Sequence, residues 1–127
     1  MASYIIEGGN KLEGEVKIAG SKNSSLPILA ASILNGKTTT LYNVPNIEDT
    51  KNMLQILEIL GCKVTKKKGK VIIDSRNIKK QEIPDELMRK MRSSVVIAGA
   101  ILGRFKKVEF SYPGDYDIWL IHRTSIR

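Results

Sequence analysis

Cysteine is almost missing from this chain: Cys62 is the only one in 127 residues. A single thiol makes neither an internal disulfide nor a cysteine-based zinc site, so a reducing cytoplasm is the expected setting. Long hydrophobic runs are missing too. The two longest, residues 26–34 (interrupted by Pro27 and Ser32) and residues 95–102, fall well short of the roughly 20 residues a membrane span needs. The start, Met1-Ala2-Ser3-Tyr4-Ile5-Ile6-Glu7, lacks the basic region and sustained apolar core of a signal peptide. Aromatics are scarce, with Trp119, two Phe and four Tyr, and His122 is the sole histidine. Two phosphate-binding signatures are also absent. Five residues separate Gly14 from Gly20 where a Walker loop needs four, and no Gly-x-Gly-x-x-Gly occurs.

What remains is an ordinary globular composition, 42% hydrophobic and 27% charged, with enough chain for one small domain and a real core. The net charge of +8 is largely local. Lys63, Lys66, Lys67, Lys68 and Lys70 crowd around Gly69, which reads first as a solvated hairpin tip. A small basic nucleic-acid-binding module is the alternative, but no aromatics are interleaved with the lysines to stack on bases.

Hydrophobic period divides the chain. Leu12, Gly14, Val16 and Ile18 alternate with Glu13, Glu15 and Lys17, predicting a half-buried strand over residues 12–19, after an earlier strand over residues 4–7. Residues 22–34 turn Leu-, Ile- and Ala-rich and predict a buried helix, with Pro27 placed in its first turn and Asn35-Gly36 as its stop. Residues 38–44 favour a strand. Asn46 reads as an N-cap, and Met53, Leu54, Ile56, Leu57 and Leu60 recur at helical spacing up to Gly61. Two short strands, 62–66 and 70–74, follow. The order β-α-β-α-β-β over residues 12–74 makes this an α/β protein. A further helix is expected from Pro84 to Leu102, ending at Gly103, then a strand over residues 107–112. Residues 115–127 show no clear period.

Two stretches could carry chemistry. Ala19-Gly20-Ser21-Lys22-Asn23-Ser24-Ser25 lies where a strand hands over to a helix, and a helix start offers free amides and a positive dipole end to an anion. Lys22 adds a full charge and Asn23 an amide donor. The same residues equally fit a capped helix with a surface lysine. In Met88-Arg89-Lys90-Met91-Arg92-Ser93-Ser94, Arg89 and Arg92 share a helix face, and Arg92 precedes an apolar run. It can fork onto a phosphate or carboxylate, or simply cover the core edge with its stem. Cys62 reads as core, and His122 has no evident partner.

Taken together, these features resemble the enolpyruvyl transferases of the UDP-N-acetylglucosamine 1-carboxyvinyltransferase type, relatives of the EPSP synthases. The resemblance covers about residues 4–114. It rests on Gly8-Gly9 with Leu12-Glu13-Gly14, on Ala19-Gly20-Ser21-Lys22-Asn23, on Val44-Pro45-Asn46-Ile47-Glu48-Asp49, on Met91-Arg92-Ser93-Ser94 and on Tyr112-Pro113-Gly114. It implies a cytoplasmic enzyme of peptidoglycan synthesis that moves enolpyruvyl from phosphoenolpyruvate to the 3-hydroxyl of UDP-N-acetylglucosamine, with no cofactor. It implies a catalytic, phosphoenolpyruvate-side role for Lys22, with Asn23 beside it, and a UDP-sugar contact for Arg92. It also implies that residues 1–20 belong to a second domain and residues 21–114 to part of the first, with one complete β-α-β-α-β-β repeat at about residues 12–74 and part of a second at about 80–114. After Gly114 the resemblance stops. The family's loop Cys has Tyr116 in its place, or Asp115 with a one-residue gap, and the Arg-Pro and Asp-Leu-His run is missing. A frameshift near residue 115 with early termination would account for this, and the chain alone is expected to be inactive.

Overall fold

The computed structural model describes residues 2–79, 82–90, 95–111 and 118–122. The first helix, α1 (Lys22–Ala31), starts at Ser21, whose carbonyl accepts the Ser25 amide at 2.9 Å and whose hydroxyl accepts the Ser24 amide at 3.4 Å. Its apolar side buries Leu26, Leu29 and Ala30, and Ile33 beyond its end. Pro27 lies in the second turn, not the first. With no amide hydrogen it leaves the Asn23 carbonyl, four residues back, without a helical donor. The helix ends three residues before Leu34. The Ser32 hydroxyl folds back onto the Leu29 carbonyl at 2.5 Å, and Gly36 turns the chain with φ 60°.

Strand β1 (Thr38–Tyr42) leads through residues 43–47 into α2 (Glu48–Leu60). Asn46 is not the cap of α2; that position falls to Ile47, whose side chain cannot accept a hydrogen bond. Thr50 substitutes for it. Its buried hydroxyl accepts the Ile47 amide at 3.3 Å and donates to the Pro45 carbonyl at 2.6 Å. Thr50, Met53, Leu54, Leu57 and Leu60 form the buried stripe at helical spacing. Gly61 ends the helix as anticipated, left-handed at φ 117°. Its amide bonds the Glu58 carbonyl (3.1 Å), and the Cys62 amide bonds the Leu57 carbonyl (2.9 Å).

Strands β2 (Lys63–Lys67) and β3 (Lys70–Asp74) form a hairpin, and β1 pairs antiparallel with the other edge of β3. The sheet order is β1-β3-β2, so β1 and β2 run parallel with β3 between them, joined by the α2 crossover. Val71 and Ile73 of β3 face the helices and are buried. The helix predicted from Pro84 appears as α3 (Asp85–Lys90) and α4 (Val95–Phe105), and Met91-Arg92-Ser93-Ser94 lie outside the described residues. α4 does not stop at Gly103. A side chain there would press on Leu34, its Cβ only 3.1 Å from Cδ2, so Gly103 serves close packing while Lys106 supplies the left-handed exit at φ 63°. Strand β4 (Lys107–Ser111) pairs antiparallel with β5 (Ile118–His122). That second strand was not foreseen, since its backbone is ordered by β4 and not by a period of its own.

The alternating segment at the N-terminus forms no strand. Leu12, Val16 and Ile18 are 93%, 88% and 83% exposed, and Tyr4, Ile5 and Ile6 are equally uncovered. The pattern is that of a half-buried strand, but a strand exists only through a neighbour's hydrogen bonds, and none of the described strands pairs with it.

A polar junction ties the layers. The Arg104 guanidinium of α4 donates to the Ile33 carbonyl at 3.0 Å and to the Ser75 carbonyl at 2.6 Å. The Ser75 amide bonds the Lys37 carbonyl at 3.0 Å, and its fully buried hydroxyl lies 3.0 Å from the Ser32 carbonyl. Cys62 is core, as expected, and burial pushes its thiol up from 9.0 to about 11.

Three outcomes follow for stability and reactivity. Arg104→Met strands two carbonyls and is expected to cost about 2 kcal/mol, read as a lower urea midpoint at unchanged slope. Gly61→Ala forces a left-handed alanine whose Cβ lies 2.7 Å from the Asn77 carbonyl oxygen; by the same assay it is expected to cost about 2 kcal/mol or more. Because the fold favours the protonated thiol, the Cys62 contribution is intact below pH 9.0 and is lost as pH rises through about 11. Native Cys62 should therefore react with a disulfide reagent far more slowly than free cysteine at pH 8, and at the free rate in urea.

Candidate functional site

The chain enters α1 through a contact only glycine permits. A Cβ on Gly20 would collide with the Asn43 carbonyl oxygen and lie 3.3 Å from the Pro45 ring. Asn43 itself adopts φ 58°, a left-handed value that asparagine tolerates better than most residues. This close approach sets the start of α1 against the loop that leads into α2. The first turns of the two helices therefore lie side by side, each presenting the positive end of its dipole.

Lys22 occupies the first turn of α1, half-exposed, and its ammonium is ion-paired with the Asp49 carboxylate in the first turn of α2. Asp49 is the more buried partner, with its side chain 29% exposed against 53% for Lys22. The pair fixes the direction of a flexible side chain, so the ammonium is held at the helix starts instead of sweeping through solvent. Asn23 follows on the exposed side of the same turn. Lys22 and Asn23 are thus brought together at one helix start, as the sequence suggested. Arg92 lies outside the described residues, as do the loop positions Asp115 and Tyr116.

Sequence reasoning named Asp49 only as the last residue of the Val44-to-Asp49 motif. Its pairing with Lys22 was missed, since twenty-seven positions of chain separate them and only the Gly20 contact closes that gap. The available signal was that Asp49 closes the Val44-to-Asp49 motif. A second acid, Asp74, is committed elsewhere: the Arg76 guanidinium grips it at 2.6 Å and 3.0 Å and holds its carboxyl down at about 2. His122 falls in β5, opposite Lys107. Among the described residues no helix is long and apolar enough to cross a membrane.

Comparison with known proteins gives the arrangement a family. The model of the EPSP synthase (3-phosphoshikimate 1-carboxyvinyltransferase) family matches residues 6–119. UDP-N-acetylglucosamine 1-carboxyvinyltransferase 2 of Caldanaerobacter subterraneus subsp. tengcongensis is 48% identical over 118 residues, which is 93% of this chain and 28% of that protein. UDP-N-acetylglucosamine 1-carboxyvinyltransferase of Methylacidiphilum infernorum is 46% identical over 114 residues, 90% of this chain and 27% of that one. The crystal structure of the enolpyruvyl transferase NikO from Streptomyces tendae shares the fold with a TM-score of 0.72 at 24% identity, covering 85% of this chain and 25% of its own. The chain therefore spans little more than a quarter of the length of the relatives it matches, and the nucleic-acid reading finds no support in them. The family match over nearly the whole length, on an α/β fold shared with a solved enolpyruvyl transferase, shows that this chain belongs to the EPSP synthase (3-phosphoshikimate 1-carboxyvinyltransferase) family.

Proposed function

We propose that this chain supplies one substrate-facing part of an enzyme that transfers enolpyruvyl from phosphoenolpyruvate to the 3-hydroxyl of UDP-N-acetylglucosamine in the cytoplasm. In that reaction the acceptor oxygen bonds to C2 of the enolpyruvyl group, the C–O bond to phosphorus-bearing oxygen breaks, and inorganic phosphate leaves with the hydroxyl proton released. The observation that carries the reading is the Lys22 ammonium held by Asp49 where two helix starts meet. Both substrates are polyanions, and fixed positive charge at the point where further charge develops lowers the barrier without reorganisation. Lys22 supplies that charge, Asn23 an amide donor to an oxyanion, and Arg92 a fork for the UDP-sugar. Asp49 is a positioning residue that acts through Lys22.

The exposed apolar alternation of residues 12–18 supports a second part of the reading. Residues 1–20 pair with a second domain of the parent enzyme, and residues 21–114 belong to the first. The tail from residue 115 departs from the family's loop pattern and leaves this chain without the loop Cys.

The chain by itself should release no phosphate that depends on both substrates; release above background would overturn the fragment reading. In a full-length protein carrying this segment, Lys22→Gln should lower kcat by more than about 10²-fold, the scale of losing one preorganised donor, with an unchanged circular dichroism spectrum. Asp49→Asn should lower kcat less, by about tenfold, since it frees the ammonium without removing it. Arg92→Lys should raise the KM for the UDP-sugar more than it lowers kcat. Near-normal turnover in the Lys22 variant would return Lys22 to a surface lysine beside a cap.

A further inference from the structure

The lysine cluster forms the exposed hairpin tip that the sequence predicts, and three of its members also line a groove. A groove of 340 Å³ opens between the loop 43–46, the first half of α2 and the turn joining β2 to β3. Its floor is apolar, made by Val44, Pro45, Leu54 and Val71. Four lysines line it, Lys51 of α2 and Lys66, Lys67 and Lys70 of the hairpin. Two neighbouring cluster members, Lys63 and Lys68, do not line it, and among the described residues neither does any carboxylate. Among the described residues none of the four lining lysines has an ion-pair partner.

Lys66 stands opposite Val71, on the helix-facing side of the sheet, where the core gives way to the groove. Lys67 stands directly opposite Lys70, and like charges so placed destabilise a sheet. On the helix-facing side Lys66 is joined at the groove by Lys51 of α2, so like charge gathers there as well. A bound multivalent anion would relieve it. Lysines act as point charges without the fork that selects a planar carboxylate, which suits a phosphate group. The volume is at the lower end of small-ligand sites, and the apolar floor suits an organic body. Among the described residues no aromatic lines the groove, which gives a nucleic-acid strand no stacking platform from them.

We propose that this groove is a binding site for a small phosphorylated ligand carrying at least two negative charges, separate from the Lys22 helix start. The proposal does not rest on the function proposed above, since it uses none of the same residues.

Titration of the isotopically labelled chain with inorganic tripolyphosphate at constant ionic strength tests it. Binding with Kd below about 1 mM is expected, with amide shifts centred on residues 43–46, 50–51 and 66–71. Lys66→Gln/Lys70→Gln should weaken binding by about tenfold or more. Lys63→Gln/Lys68→Gln removes the same charge without touching the groove and should stay within about twofold of the parent. The melting temperature of each variant establishes that it folds, and removing the Lys67–Lys70 opposition should if anything raise it. Equal weakening in both double variants would overturn the site and leave only general electrostatics. Shifts centred on residues 21–24, or tighter binding of a single-stranded oligonucleotide than of tripolyphosphate, would overturn it equally.

Discussion

The tie between Arg104 and the ends of α1 and β3 is the constraint on which the remaining geometry depends. A helix leaves its last carbonyls unpaired, and a strand end leaves its own. Here the Ile33 carbonyl just past α1 and the Ser75 carbonyl just past β3 converge on one guanidinium from α4, while Ser75 reaches back to Ser32 and Lys37. Three elements are thereby locked at one end of the fold with their polar groups satisfied. The apolar layer of Leu29, Ile33, Leu57, Ile73 and Ile101 can then close above the sheet without orphaned backbone.

Fixing one end of α1 also fixes the other. A ten-residue helix is rigid over about 15 Å, so anchoring its C-terminus to the sheet sets where its N-terminus emerges. The Gly20 contact with Asn43 and Pro45 completes the alignment from the opposite end. Lys22 meets Asp49 as the result of these two constraints. Neither residue is deeply buried, and an exposed ion pair contributes little to stability. Its consequence is direction: an ammonium aimed by a carboxylate at the junction of two positive helix ends.

Charge is distributed unevenly around that junction. At the helix starts acid and base are matched, whereas four lysines and, among the described residues, no carboxylate line the neighbouring groove. If both proposals hold, the fold presents two differently prepared anion environments, one with its lysine matched by a carboxylate and one with four lysines unmatched. The first is oriented and partly neutralised. The second is open and strongly positive.

The residues alone specify what depends on neighbours along the chain. Helical spacing from Met53 to Leu60 placed α2 and its buried face, Gly61 marked its stop because only a left-handed residue fits there, and Ser21-Lys22-Asn23 announced a helix start. The hairpin around Gly69 was equally legible. Tertiary structure decided what depends on distant chain. The alternation at residues 12–18 foretold a strand that these residues do not form, because period describes which side of a strand is apolar and not which strand will pair with it. The helix expected to stop at Gly103 runs to Phe105, since that glycine answers to Leu34 across the packing and not to a chain reversal. The central place of β3, the meeting of Lys22 with Asp49, and the arrival of Lys51 beside the hairpin lysines all need segments brought together by the Arg104 junction and the Gly20 contact. No local pattern encodes such meetings, because they are set by the balance of burial and hydrogen bonding over the whole chain.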